Sequence, residues 1–174
     1  MSDTYEKIVN DQDPFTKLLA KIPGFKGYVE RGDRRMSDKL LRETISLQFE
    51  SHYQRISALQ RSLISQGGLA YVDDLESAAI KLRQFIDRIR TASYGYSAIF
   101  DAIKINSDEL SQLYQYDVTL LNMNETVGRA IDNVEASIGS DGLPAAINNL
   151  IAIAQDCLQA FNQRSDLFKG LASK

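Results

Sequence analysis

The sequence contains very few of the residues that most metal and catalytic sites require. Its 174 residues include one cysteine, one histidine and no tryptophan. A lone cysteine cannot form an internal disulfide bond, and a ferritin-like di-iron site needs two Glu-x-x-His pairs, so the single histidine excludes that site. The sequence contains neither a Cys-x-x-Cys pair nor a glycine-rich phosphate-binding motif. We therefore expect a noncatalytic protein with no metal or cofactor.

Long apolar runs and a strong net charge are also missing. No stretch of about 18 apolar residues could span a bilayer. The first residues, MSDTYEKIVNDQD, lack the basic and apolar regions of a secretory signal. Together with the single cysteine, which favours a reducing compartment, these features predict a cytoplasmic protein. The net charge of −3 argues against a general nucleic-acid binder, because such a protein needs a broad basic surface.

Proline is scarce as well, and its positions leave the middle of the chain free to form helices. The three prolines lie at 14, 23 and 144, so none interrupts residues 24–143. Apolar residues in this region recur at alternating steps of three and four, which is typical of amphipathic helices. The pattern predicts four long helices: from residue 33 or 37 to 66, and over about 71–93, 106–138 and 144–170. Gly67 is placed to end the first helix in a left-handed conformation.

The links between these helices indicate how they pack. Those at residues 67–68 and 139–142 are short, so each joins antiparallel neighbours. We predict an all-α fold, an antiparallel up-down-up-down four-helix bundle with an N-terminal helical extension and a short extra helix between helices two and three. Residues 1–32 form the extension, 33–170 the bundle and 171–174 a tail. The alternative is a coiled-coil assembly of helical hairpins from different chains, because heptad-like spacing does not say which chain supplies the partner.

Four polar or reactive side chains fall on the apolar stripes of these helices. His52 and Cys157 together invite comparison with a nucleophile and its base. Single cysteines and histidines on a core stripe are, however, ordinary core residues. We expect His52 to make a core hydrogen bond to Asp117 or to a tyrosine. Asp117 and Asn124 are expected to fix helix register, as isolated polar residues do in coiled coils.

Positive charge is concentrated near the N-terminus. Residues 14–42 contain eight basic and three acidic side chains. Within them, PFTKLLAKIPGF places its large apolar residues at helical spacing, with lysines between them. Such a segment can dock its apolar face on the bundle, which is the interpretation we favour. Alternatively, residues 14–29 form a reversible anchor on an anionic membrane.

The predicted topology brings residues 22–35 and 94–105 to one end of the bundle. Both segments contain more large apolar groups than a loop needs. We expect this end to bind a protein partner, which would make the protein an adaptor, assembly or regulatory subunit; self-association is a further option. The arginines either face an acidic partner or lipid headgroup, or pair with acidic residues at nearby helix starts, such as 101, 108 and 109. The candidate surface comprises Phe25, Tyr28, Arg31, Arg34, Arg35, Tyr94, Tyr96 and Phe100.

Two segments of the chain resemble a pair that recurs in other proteins. They are IPGFKGYVERGDRR, followed by DKLLRE, and ASYGYSAIFDAIKI, followed by LYQYD. The pair is similar to segments of an uncharacterised group of bacterial all-helical proteins that share IPGFKGYxER and YGYxxxFDAxKI. The resemblance covers about residues 17–117. It implies that the end formed by these segments is the distinctive region, and it implies no activity, cofactor or partner.

Overall fold

The computed structural model describes residues 14–30, 34–92 and 107–172. Six α-helices and one 3₁₀ turn make up these residues, and no strand occurs among them. The prediction of an all-helical fold is therefore confirmed. The helices are α1 (Pro14–Lys21), α2 (Phe25–Glu30), α3 (Arg34–Ser65), α4 (Val72–Thr91), α5 (Ser107–Ser137) and α6 (Leu143–Ala172), and the 3₁₀ turn is Leu69–Tyr71.

Glycine ends the first long helix as predicted. Gly67 has a φ of 81°, a conformation that side chains with a Cβ rarely adopt. The N–H of Gly68 donates to the carbonyl of Leu63 at 2.7 Å, and the N–H of Gly67 donates to that of Ile64 at 3.3 Å. These two bonds form a Schellman motif, which satisfies carbonyls that the helix itself cannot. The chain then turns back through the 3₁₀ turn into α4.

Short links join α3 to α4 and α5 to α6. Glu50 of α3 bonds Arg83 of α4, and further along α3 Gln60 bonds Glu76, which lies earlier on α4. Helices α5 and α6 are likewise joined by a short turn, at residues 138–142. The side-chain bonds between α3 and α4 therefore pair later residues of one helix with earlier residues of the other.

Contacts also connect the helices of the first pair with those of the second. Helix α4 contacts α6, where Lys81 bonds Gln155 and Arg88 bonds Asn162. Helix α3 contacts α5 in the same sense, with residues 52 and 55 meeting residues 124, 132 and 135. Contacts thus connect α3 to α4, α4 to α6, α6 to α5 and α5 to α3.

The core follows the predicted apolar stripes. The Phe49 ring of α3 lies 4.5 Å from the Phe85 ring of α4, which in turn meets the Phe161 ring of α6 edge-on at 6.4 Å. Such ring pairs add to the stabilisation from apolar burial. Stripe residues predicted from spacing and found buried include Ile45, Ile56, Leu63, Leu75, Leu82, Ile89, Leu113, Leu120, Val127, Ile131, Val134, Ile147, Leu150 and Ala154.

The N-terminal extension packs its apolar face on the long helices. Helix α1 contacts α5 and α2 contacts α3. The side chains of Leu18 and Ile22 are buried in the common core, and Leu19 packs partly buried against it. Lys21 adds a polar contact, since its Nζ donates to Oδ1 of Asn122 on α5 at 2.8 Å. The extension is thus docked on the helices, as one of its two interpretations predicted.

One turn within the extension rests on glycine, and one predicted element lies outside the described residues. The chain reverses at Gly24, and residues 25–30 then form the short helix α2. Gly24 alone makes the reversal, with a φ of 83°, which allows Gly27 to lie inside the helix. The short extra helix predicted at 94–105 lies outside the described residues.

Candidate interaction surface

The start of α3 and the end of α4 are joined by an arginine. Nη1 of Arg42 donates to the main-chain carbonyls of Arg90 and Ala92, at 3.4 and 3.2 Å. The last carbonyls of a helix have no partner within it, and a cationic donor there also suits the helix dipole. Arg42 therefore fixes the last turn of α4 against the first turns of α3.

An open groove lies beside this contact. It has a volume of about 530 Å³ and is open to solvent. Five of its lining residues occupy one face of α3, at steps of three, one, three and one, and α4 contributes the sixth. Leu47 is 65% exposed there, although it is a large apolar side chain. We call this feature the α3–α4 groove; it is lined by Lys39, Arg42, Glu43, Ser46, Leu47 and Arg90.

Among the described residues, three cations and one carboxylate line the groove. Nζ of Lys39 lies 3.7 Å from Oε1 of Glu43, too far for a hydrogen bond. Nη2 of Arg90 lies 3.2 Å from Oε2 of Glu50, just beyond the groove. Glu50 also accepts two hydrogen bonds from Arg83, at 2.9 and 3.0 Å, and this contact is the main reason why the pKa of Glu50 is lowered. The Glu50 carboxylate therefore stays ionised and holds Arg90 at the groove wall.

The structure places only part of the surface predicted from the sequence. Phe25 is 1% exposed and belongs to the core, so it is not available to a partner. Its place at the start of α2, directly after the reversal at Gly24, turns the ring towards the long helices. The side chains of Tyr28, Arg34 and Arg35, and the whole of Arg31, Tyr94, Tyr96 and Phe100, lie outside the described residues. Arg34 and Arg35 are the first residues of α3, the helix that forms most of the groove.

Sequence reasoning did not identify the groove. Lys39 and Arg42 belong to the basic stretch of residues 14–42, and nothing in the sequence pattern places Arg90 beside them. Leu47 lies off the core stripe of α3 and carried no signal in that pattern. The three-four spacing of 39, 42 and 46 was available in the sequence. The register that brings Arg90 beside it is a property of the packed helices.

The single histidine is paired with an amide and not with Asp117. Nε2 of His52 lies 2.7 Å from Oδ1 of Asn124 on α5. Because an amide oxygen can only accept, Nε2 carries the proton and donates it. Burial lowers the pKa of His52, and the hydrogen bond to Asn124 opposes this effect only in part. The expected partner, Asp117 or a tyrosine, was therefore wrong, and the imidazole is neutral at neutral pH.

Asp117 instead forms an ion pair in the core. Its Oδ1 lies 2.6 Å from Nε of Arg164 on α6, and the guanidinium lies over the Phe168 ring at 4.4 Å. A cavity of about 10 Å³ adjoins the pair, which is room for one water molecule at most. The pair is thus packed by protein, with no space for a larger ligand.

Cys157 is unsuited to nucleophilic chemistry in this fold. It is fully buried on α6, and burial raises the pKa of its thiol to about 12. The thiolate, which is the reactive form, is therefore negligible at neutral pH. Across residues 14–30, 34–92 and 107–172, no cluster of three or more histidine, cysteine and acidic side chains could hold a metal ion. None of the helices described is both long and apolar enough to cross a membrane.

Comparison with known protein families, with curated proteins and with solved structures gives no match for this chain.

Proposed function

We propose that the protein is a noncatalytic, cytoplasmic helical-bundle protein that acts as an adaptor, assembly or regulatory subunit. It binds another protein through the end of the bundle where α3 begins and α4 ends. The observation that carries this proposal is the α3–α4 groove, where Lys39, Arg42 and Arg90 line an open concavity beside the exposed Leu47. Residues 22–35 and 94–105 complete the binding end in this proposal.

The polar residues of the core favour binding over catalysis. His52 is held by Asn124, and Cys157 is buried with a raised pKa. Asp117 is committed to Arg164. Asp117 and Cys157 are fully buried, and His52 is held by a bond within the fold. The groove, by contrast, presents charged groups and an apolar group to solvent, a combination that suits protein recognition.

The proposed fold is a single-chain, up-down-up-down four-helix bundle. Contacts between the two antiparallel pairs support it over a coiled coil of hairpins from different chains. His52 meets Asn124 across α3 and α5, and Lys81 meets Gln155 across α4 and α6, all within one chain. The long connection from α4 to α5 then joins helices that are diagonal in the bundle.

The membrane alternative requires a rearrangement. For residues 14–29 to lie on an anionic bilayer, α1 has to leave α5 and expose Leu18 and Ile22. Each is at most 1% exposed when docked. Exposing a fully buried leucine or isoleucine costs about 1.5–3 kcal/mol, and insertion into the bilayer would have to offset this cost. The docked extension therefore favours the protein-binding proposal.

Affinity capture with charge-reversal variants tests the proposal. The wild type, an Arg34→Glu/Arg35→Glu variant and an Arg61→Glu/Arg129→Glu control are immobilised and exposed to an extract of the native host. Arg61 and Arg129 are exposed on α3 and α5, away from the binding end, and give the same change in charge. We expect a protein that the wild type and the control retain, and that the Arg34→Glu/Arg35→Glu variant loses while its melting temperature stays near normal.

Two outcomes would contradict the proposal. One is that the melting temperature of the Arg34→Glu/Arg35→Glu variant falls by several degrees while the variant keeps every interaction of the wild type. The two arginines would then be structural. The other is that sedimentation with anionic liposomes at low salt, and not protein capture, is the interaction that the variant loses. That result would favour the membrane alternative, and high salt should then weaken the sedimentation.

A further inference from the structure

We propose that the α3–α4 groove binds an acidic segment of the partner protein that also carries an apolar side chain. This inference rests on the proposed function and names the chemical class of its partner. It concerns the lining residues within the described part of the chain, which are Lys39, Arg42, Glu43, Ser46, Leu47 and Arg90.

Charge complementarity determines the sign of the partner. The lining has an excess of two positive charges in a chain whose net charge is −3. The side chain of Lys39 is 56% exposed, and the carboxylate of Glu43 lies 3.7 Å from it, beyond hydrogen-bond distance. An incoming carboxylate can therefore bond Lys39 without displacing a strong contact. Arg90 is held at the opposite wall by Glu50 and needs little reorganisation to meet a second carboxylate.

The exposed leucine determines the second feature of the partner. Leu47 lies eight residues beyond Lys39 on α3, which is about 12 Å along a helix. A segment that places a carboxylate at Lys39 therefore needs an apolar side chain about two helical turns away to cover Leu47. Covering an exposed leucine adds affinity that a purely acidic ligand cannot obtain. An acidic stretch with an interspersed leucine fits both requirements.

The shape of the site disfavours other anionic ligands. A bilayer surface is flat and cannot follow the cations into a concavity. A nucleic acid offers no apolar side chain to cover Leu47, and the chain as a whole has a net charge of −3. A small anion would leave the exposed Leu47 uncovered, and Lys39 and Arg90 lie on different helices. Side chains of a peptide can reach each wall separately.

Fluorescence anisotropy with synthetic peptides tests this assignment. The probe is a fluorescein-labelled peptide of repeated Glu-Glu-Leu triplets, and the control peptides contain Lys-Lys-Leu and Glu-Glu-Ser triplets. The groove variant is Lys39→Glu/Arg90→Gln. Its matched control, Arg61→Gln/Lys81→Glu, makes the same charge change elsewhere on α3 and α4. Thermal melting of each variant checks that the fold is retained. We expect the groove variant to remain folded, because Glu50 still accepts two hydrogen bonds from Arg83 when Arg90 is replaced.

We expect the Glu-Glu-Leu peptide to bind the wild type and the matched control equally. The groove variant should bind it about tenfold more weakly, because charge reversal replaces attraction by repulsion, and salt should weaken the wild-type binding. Leu47→Ser should reduce affinity for the Glu-Glu-Leu peptide but not for the Glu-Glu-Ser peptide. That difference would locate the apolar contact at Leu47.

Equal binding by the wild type and the groove variant would overturn the inference, as would binding of the wild type to phosphatidylserine vesicles but not to the acidic peptide. A captured partner that is lost on Arg34→Glu/Arg35→Glu substitution but unaffected by the groove variant would overturn this inference and leave the proposed function standing. If the acidic peptide binds at the groove but no partner is captured from the extract, the proposed function is contradicted and the ligand class of the groove remains.

Discussion

Asp117 of α5 and Arg164 of α6 form an ion pair in the interior of the helical assembly. Oδ1 and Nε are 2.6 Å apart, and the two residues are 0% and 3% exposed. Removing two charges from water is expensive, so such a pair adds little net stability compared with apolar residues of similar volume. The pair contributes more to the specificity of helix packing than to stability, because only one register of α5 against α6 brings the two groups together. We therefore regard the pair as a register device.

Breaking the Asp117–Arg164 pair on one side should be strongly destabilising. Asp117→Ala leaves a buried guanidinium without its carboxylate, and we expect a loss of about 3–5 kcal/mol in the free energy of unfolding. The double variant Asp117→Leu/Arg164→Met should be close to the wild type in stability, because it removes both charges and retains volume. Urea unfolding measures both. A double variant as unstable as Asp117→Ala would mean that the pair is a net source of stability.

Truncation of large core side chains should follow the burial pattern. Leu82 is fully buried on α4 and Phe161 is 7% exposed on α6. Leu82→Ala should cost about 2–5 kcal/mol and Phe161→Ala about 3–5 kcal/mol. Ile80, which is 49% exposed on the same helix as Leu82, provides the control. Ile80→Ala should change stability by no more than about 0.5 kcal/mol. Unchanged melting of Leu82→Ala would show that the assigned helix faces are wrong.

The helices and their core stripes could be predicted because helical periodicity is a local property. The spacing of Leu75, Leu82 and Ile89 is enough to place them on one face of α4. Gly67 ends α3 for a local reason as well, since the left-handed turn needs a residue without a Cβ. The partners of polar core residues could not be predicted in this way.

Which residue faces His52 depends on the register of α3 against α5. The apolar spacing within a single helix contains no information about that register. The same limit explains why Arg164 was missed as the partner of Asp117. It also explains the groove, because Arg90 joins Lys39 only through the register of α3 against α4. The burial of Phe25 likewise depends on how α2 packs against α3, which local spacing does not determine.

Gly128 provides the space for the His52 ring. A Cβ at position 128 would lie 3.2 Å from Cε1 of His52, whereas a Cβ at Gly170 has open space around it. Both glycines are helical with no positive φ, so alanine improves the helix propensity of either by at most about 1 kcal/mol. At position 128, overpacking of about 1–3 kcal/mol should exceed that gain. We expect Gly170→Ala to stabilise the protein and Gly128→Ala to destabilise it.

The His52→Ala background provides the control for this pair of substitutions. With the imidazole removed, Gly128→Ala should become neutral or stabilising, and its effect should approach that of Gly170→Ala. Thermal melting of the four variants completes a double-mutant cycle between positions 52 and 128. If Gly128→Ala stabilised the protein in the presence of His52, the close approach of α5 to the ring would not be tight.

The protonation of His52 should make stability depend on pH. The ring is half-buried between α3 and α5, and burial is the main reason why its pKa is lowered in the folded state. Its Nδ1 is buried and has no hydrogen-bond partner among the described residues, so an imidazolium would leave a donor unsatisfied. Of the charged groups nearby, Arg55 disfavours the imidazolium and Asp132 favours it, and the two are themselves paired at 2.6 Å.

The direction of the pH effect follows from which state binds the proton first. In the unfolded chain His52 titrates near pH 6.5, and in the folded chain it titrates lower. Its contribution to stability is therefore complete above about pH 6.5 and declines as the pH falls towards the folded-state pKa, with a slope of at most about 1.4 kcal/mol per pH unit. His52→Gln should remove this slope.

Urea unfolding of both proteins between about pH 7 and pH 5, where few carboxylates titrate, measures the difference. Because the chain has one histidine, its single Cε1–H resonance gives the folded-state pKa directly by NMR. A value at or above about 6.5, or equal slopes in the two proteins, would mean that protonated His52 fits the α3–α5 contact as well as the neutral ring does.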